Sequence, residues 1–324
     1  MSKLFIFGNG FDLAHGYKTS YNDFRDWLCY HYNADENYIM QTPKYATNYK
    51  GLHEYDIAEM AAFFYSMIHD VHGVDWHEFE TGLSKLDWRS QLDIVCDYYR
   101  IYENEYKYVY NNYEDEARVF TEFAFILPDH LFNDWVRDID ISSPSKISNE
   151  FLNLYNRESD HALSFNYTDT LEKHYNITDV CHIHGCVSKY EQIIVGHNSF
   201  YDYPDFDSDD DFAYIKHSCA RNICERYKKN TTKAYKRKLT FFNSLTDITD
   251  IYIHGFSFSD VDLFYFKKIK QHLGQTNVAF HIHNYDDNDW RKCEEIVKSI
   301  GFNLNSINKF RFTDLNDVKR ISVS

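Results

Sequence analysis

The first ten residues constrain this chain more than any other stretch. Residues 3–7, KLFIF, form a continuous apolar run that stops at Gly8-Asn9-Gly10, and such a run reads as a strand buried on both faces entering a tight turn. A strand covered on both faces needs a layer above and a layer below, so helices must follow. Glycines in the turn remove the Cβ atoms that would block close approach, and the N-terminus of the next helix carries partial positive charge. The turn therefore suits a phosphate. Leu13 stands where G-x-G-x-x-G would need its third glycine, so the standard dehydrogenase fingerprint is not formed. Asp12 repels phosphate but suits ribose hydroxyls or a helix cap.

From about residue 20 to 156 the pattern changes. Apolar and aromatic residues recur at three- and four-residue spacing through YNDFRDWLCYHY, IAEMAAFFYSMIHDV, WHEFETGLSKL and the segments that follow, which predicts several helices and almost no strand. Short apolar runs return at 161–165 (HALSF), 180–183 (VCHI), 192–195 (QIIV), 250–253 (DIYI) and 277–282 (NVAFHI), spaced widely enough to hold helices between them. Strands alternating with helices predict an α/β fold with a mostly parallel sheet. We expect one α/β domain from residues 1–19 and 157–324, interrupted by a helical insertion at 20–156.

Charge narrows the partners. With 34 Lys and Arg against 50 Asp and Glu the net charge is −16, which removes the broad positive field that non-specific nucleic-acid binding requires. Residues 221–238 carry eight Lys or Arg against one Glu, after an acidic segment at 201–211; they read as solvated helices, with an RNA- or polyphosphate-binding stripe as the alternative. No run of about 18 apolar residues is present for a membrane span and the first apolar stretch is too short for a signal peptide. Seven thinly spread cysteines fit reduced thiols. The expected location is the cytoplasm.

Three more constellations could carry chemistry. Asn166-Tyr167-Thr168-Asp169 follows the strand HALSF, at the carboxyl end where parallel sheets bind ligands; Asn166 could position a sugar hydroxyl or a water, or with Thr168 cap the helix starting near Thr170. In Cys181-His182-Ile183-His184-Gly185-Cys186, period-two alternation puts both histidines on one strand face, with His184 at the solvent-facing rim as a base. Cys181 and Cys186, with Cys219 and Cys224, make two C-x4-C pairs; the second falls on a helix where its thiols diverge, so no metal is expected. Finally, Gly255, Ser257 and Asp260 follow another strand, offering backbone donors, a hydroxyl and a carboxylate that could cap a helix or hold a ribose.

Together, LFIFGNGFDLAHGYKTSYNDF, SFNYTDTLEKHY, HIHG with IIVGHN, and IYIHGFSFSDVD resemble the bacteriophage abortive infection protein family AbiH; Trp76 to Glu80 is similar to its less specific Trp-x-x-x-Glu feature. That resemblance implies a Rossmann-like, sirtuin-like nucleotide-binding fold and a role in anti-phage defence. It implies that Gly8, Asn9, Gly10, Phe11 and Asp12 form the nucleotide turn. Asn166, with Tyr167 and Thr168, would handle the nicotinamide ribose of NAD, His184 would be the base, and Gly255, Ser257 and Asp260 would lie on the adenosine side. The implied reaction is cleavage of the nicotinamide–ribose bond of NAD or a related nucleotide. The alternatives are a non-catalytic NAD or ADP-ribose sensor and an RNA-directed toxin. The helical insertion would then be a lid, a surface for homo-oligomers or an element sensing a phage-derived trigger. Two departures from the sirtuin pattern stand out: the doubtful cysteine pairing disfavours deacetylation, and Asp12 replaces a small hydroxyl residue.

Overall fold

The computed structural model describes residues 2–35, 45–50, 53–94, 106–199, 212–283 and 287–315; the acidic segment 201–211 lies outside them. In chain order the elements used below are β1 (Ser2–Phe7), α1 (Asn9–Ala14), α2 (Tyr21–Tyr32), α3 (Ile57–His72), α4 (Tyr106–Leu127), α5 (Asn149–Leu154), β2 (His161–Ser164), α6 (Thr170–Tyr175), β3 (Val180–His182), α7 (Ala213–Arg226), β4 (Ile248–His254), α8 (Leu263–Leu273), β5 (Val278–His283), α9 (Asp287–Ile300) and β6 (Leu304–Phe310).

The six strands named make one sheet in the order β3-β2-β1-β4-β5-β6, every pair parallel. This is the Rossmann-like order, in which the chain builds outward from β1 in one direction and then returns to build in the other. Alternation along the strands explains the unbroken apolar runs. Leu4, Ile6, Leu163, Ile251, Ile253, Phe280 and Ile282 face a layer containing Tyr265, Phe266 and Ile269 of α8 and Val297 of α9. Phe5, Phe7 and Ala162 face the other layer, with Phe11 of α1, Phe151 of α5, and Leu171 and Tyr175 of α6. Each fully buried side chain of this size contributes about 1.5–3 kcal/mol.

The chain divides into two compact units: Met1–Ser20 with Val136–Ile194 and Asn230–Ser324, and Tyr21–Trp135 with Val195–Lys229. The α/β unit thus includes α5, which lies inside the expected helical insertion, because Phe151 packs against Phe5 and Phe7 of β1. The helical unit takes up α7, which packs on α4. Several of its aromatic residues are core: Phe24, Trp76, Phe79, Trp88, Phe120 and Phe123 are buried, whereas Tyr30, Tyr49 and Tyr214 are exposed, and α3 is started by Asp56, whose carboxylate accepts from the amides of Ala58 and Glu59.

Three expectations need correction. A short antiparallel pair, Tyr45–Thr47 with His53–Tyr55, occurs in the helical unit; three-residue strands are too short to display alternation. Residues 192–195 are not a strand, although Ile194 donates its amide to the His184 carbonyl. The edge strand β6 was not anticipated, because its half-exposed sequence LNSINKF lacks an apolar run. Among the described residues, no helix is long and apolar enough to cross a membrane.

Candidate active site at the carboxyl ends of the strands

The strand order reverses between β1 and β4, where such sheets open a crevice for ligands. Here the two glycine turns meet. Gly8 donates its amide to His254 O (3.0 Å), Gly10 to Gly255 O (2.9 Å) and Phe11 to Gly8 O (2.9 Å). A Cβ on Gly8 would sit 2.5 Å from Gly255 O, and one on Gly255, whose φ is +71°, would sit 2.2 Å from Phe11 N. These glycines therefore allow backbone to approach backbone, and the three amides are spent within the protein rather than turned toward a phosphate. The Phe11 ring lies in the core against Phe7 and Phe151. Asn9, the first residue of α1, is exposed.

Beside this junction a polar group is gathered under the β2–α6 loop. Asp12 is 1% exposed. Its carboxylate accepts from Thr168 Oγ1 (2.5 Å) and Thr170 Oγ1 (2.7 Å), and the Asn166 side chain bonds to it as well. Burial raises its pKa to about 6, against the opposing effect of these donors and of His182. Asp12 is thus the fourth residue of α1 and does not cap that helix, which starts at Gly8 without a side-chain cap. Asn166 and Thr168 do not cap α6 either; the capping position belongs to Asp169, also without a side-chain bond. At the far end of α1, His15 Nδ1 donates to Phe11 O (2.7 Å) and its Nε2 meets Tyr175 Oη (2.6 Å) at the end of α6, while Tyr175 Oη accepts from Ser148 N (2.9 Å). Burial lowers the His15 pKa to about 4, so the ring is neutral and accepts from the tyrosine.

His182 and His184 do not share a face. Strand β3 ends at His182, and the turn that follows breaks the two-residue alternation. His182 reaches Asn166 O (3.2 Å) and Glu172 Oε1 (2.9 Å) on the side of α6. His184 instead stands among Phe165, Tyr167 and Tyr265, with ring centroids 5.2, 6.3 and 5.8 Å away. Its Nε2 lies 3.1 Å from Oδ1 of Asp262, whose Oδ2 accepts from Ser259 Oγ at 3.3 Å. Asn166 is 6% and His184 2% exposed, so neither stands at a solvent-facing rim: the three rings surround His184, and Asn166 is turned to the buried Asp12. The acid beside His184 is Asp262, which the sequence reading did not single out; Asp260 and Ser257, expected on the adenosine side, are exposed. Sequence reasoning missed Asp262 although Ser259-Asp260-Val261-Asp262 carries two acids at a helix start, and only burial separates them.

The cysteines divide. Cys181 and Cys186 belong to the α/β unit, whereas Cys219 and Cys224 lie on α7 of the helical unit; among the described residues no three metal-binding side chains converge. Much of the basic stretch is consumed in ion pairs: Arg226 with Asp129, Lys228 with Glu225 and Lys238 with Glu191. Lys229, expected as an RNA contact in the toxin reading, has a 1% exposed side chain held by Glu80 at 2.9 and 3.1 Å. A polar cleft of about 530 Å3, lined by residues including Asn156, Arg157 and Tyr175, lies away from this site, before β2 and after α6.

The fold and site define a class: an α/β protein of Rossmann-like topology with a polar cluster and a histidine–aspartate pair at the carboxyl edge of its sheet. The chain belongs to the AbiH family, since the family model described as bacteriophage abortive infection AbiH matches residues 4–288. No curated protein and no solved structure was found to match the chain.

Proposed function

We propose that this AbiH family member serves abortive infection by hydrolysing the nicotinamide–ribose bond of NAD or a related nucleotide. The observation that carries this reading is the His184–Asp262 pair, 3.1 Å apart, at the carboxyl edge of a Rossmann-order sheet, with Asn166 following the neighbouring strand β2. When the C1′–N bond breaks, nicotinamide leaves with the bonding electrons and positive charge develops on the ribose. Asn166 positions the ribose or the attacking water without adding charge. The water oxygen bonds to C1′, and its proton passes to the His184 imidazole, whose charged form is stabilised by Asp262. Asp12, Thr168 and Thr170 act behind Asn166, holding the β2–α6 loop. Ser257 and Asp260, both exposed, are the groups available to the adenosine side.

The test is direct. Purified protein incubated with NAD should release nicotinamide, followed by chromatography, and His184→Ala should abolish release while the protein stays folded. NAD remaining intact at all protein concentrations and with phage lysate present would overturn the hydrolase reading. A second reading, a nucleotide sensor without chemistry, draws on the burial of Asn166 and His184: the pair is covered, while Ser257 and Asp260 remain open to a ligand. Tight ADP-ribose binding with no turnover would favour it.

A further inference from the structure

Hydrolysis as drawn above leaves one buried histidine without a part. His182, the last residue of β3, is 1% exposed, and each of its ring nitrogens faces an oxygen that accepts. Nδ1 lies 3.2 Å from the backbone carbonyl of Asn166, and Nε2 lies 2.9 Å from Oε1 of Glu172 on α6. A neutral imidazole carries one ring proton and satisfies one acceptor. Both bonds form together only when both nitrogens donate, and that state is the imidazolium. A carbonyl has no proton to give, and Glu172 is ionised: Lys189 Nζ lies 2.6 Å from the same Oε1. Burial opposes charge on Glu172, but His182 and Lys189 outweigh it and hold the carboxyl below its ordinary range. Burial likewise opposes charge on His182, and its neighbours, Cys186 and Glu172 among them, outweigh it and hold the ring above the ordinary histidine range.

We propose that His182 is a positioning residue: an imidazolium that fixes the Asn166 peptide, and through it the side chain that handles the ribose or the water. The part given to Asn166 rests on the hydrolase reading; the charge on the ring does not. The loop between β2 and α6 is then gripped from two sides by opposite charges. On one side the Asp12 carboxylate accepts from Thr168 at 2.5 Å and Thr170 at 2.7 Å. On the other the His182 ring donates to the Asn166 carbonyl, a charge-assisted bond stronger than one between neutral groups. The Asn166 amide is tied as well, donating to Ser164 Oγ at 3.1 Å, and Ser164 is the residue that pairs with His182 across β2 and β3. With its amide and its carbonyl both held, Asn166 keeps one backbone orientation without a substrate to impose it, which is how a group is readied for a reaction. A neutral His182 would drop one of its two bonds and release either the loop or α6.

The experiment uses the full chain with nitrogen-15 in its histidine rings, at pH 7 and without nucleotide. In a proton–nitrogen correlation spectrum one histidine, missing from His182→Gln, should show both ring nitrogens at the protonated shift. Should that variant fail to fold, Glu172→Gln identifies the same ring, because loss of the carboxylate charge should leave it neutral with one bare nitrogen. A bare nitrogen on His182 in the wild-type protein overturns the proposal. Hydrogen exchange at residues 165–169 then tests the grip on the loop without reference to NAD. It should be at least ~10-fold faster in Glu172→Gln, and an unchanged rate in a variant whose ring has become neutral overturns the positioning role. Turnover adds the chemical readout: in Glu172→Gln kcat for nicotinamide release should fall by up to ~100-fold with KM within about twofold, and Glu172→Asp should recover part of it. Failure of the hydrolase reading looks different, as wild-type protein with a charged His182 ring that leaves NAD intact.

Discussion

Two neighbouring regions of the sheet edge use the same kinds of sequence signal for opposite ends. Between β1 and β4, glycines bring backbone against backbone until Gly10 N and Gly255 O are 2.9 Å apart. One strand over, between β1, β2 and β3, side chains rather than backbone meet: Asp12, Asn166, Thr168 and Thr170 form a buried polar group, with His182 on the α6 side. A glycine after a parallel strand removes a Cβ, and what then enters the space is decided by the neighbouring chain. The switch point of this fold is occupied by its own turns, and the buried polar side chains gather on the adjoining strands.

The largest effect should come from Gly255→Ala. The added methyl meets Phe11 N at 2.2 Å, and φ is +71°, so steric overlap and backbone strain combine to cost at least ~3 kcal/mol. Urea unfolding measures it. An alanine variant with the wild-type midpoint would mean the turns stand apart and their amides are open to a phosphate.

Next in size is Asp12→Ala, which strips two threonine hydroxyls and an amide of their buried acceptor at a cost of about 2–4 kcal/mol, with Asp12→Asn milder. The pH dependence has a definite sign. A carboxyl raised from 3.8 to about 6 in the folded protein holds its proton better when folded. Its stabilisation is therefore full below pH 3.8 and lost as pH rises through 6. His15, lowered from 6.5 to about 4, works the other way: its contribution is full above pH 6.5 and lost as pH falls through 4. Midpoints for wild type, Asp12→Asn and His15→Gln between pH 4 and 8 should separate the two slopes. An unchanged slope in Asp12→Asn would remove the buried-carboxylate side of the comparison.

The contrast also explains what the sequence could disclose. KLFIF, HALSF and NVAFHI announced buried parallel strands because both faces of each strand are covered, and the apolar run has no other economical reading. The half-exposed β6 and the three-residue hairpin strands carry too few apolar positions to be seen. At the site, Asn166 and His184 were visible from their place after strands. Their burial was not, since it arises only in the folded chain: Phe165, Tyr167 and Tyr265, residues up to a hundred positions apart, surround His184, and the distant Asp12 takes the Asn166 side chain. Asp262 and Asp260 look alike in sequence, and only the course of the chain into α8 turns one toward His184 and leaves the other in water.

Asp262→Asn tests that distinction. It keeps the shape beside His184 but removes the charge that would stabilise an imidazolium, so nicotinamide release should fall by about 10²–10⁴-fold, with a stability change of about 1 kcal/mol. Asp260→Asn should leave the rate within a few fold. Equal losses in both variants would show that neither acid acts through His184.

The smallest effects belong to Ser257→Ala and Asp260→Ala. Both side chains are exposed, and surface substitutions away from buried networks change stability by no more than about 0.5 kcal/mol. Their value lies in binding. If the adenosine end of a nucleotide rests on the turn after β4, each variant should weaken ADP-ribose binding in calorimetry by a few fold, about 1 kcal/mol for one lost hydrogen bond, while nicotinamide release at saturating NAD stays the same. That split between binding and turnover is expected of a contact made equally in the ground state and the transition state. Unchanged affinity in both variants would mean the open side of the β4 turn is not part of the site, and would confine the ligand to the β2–β3 side where the polar group is gathered.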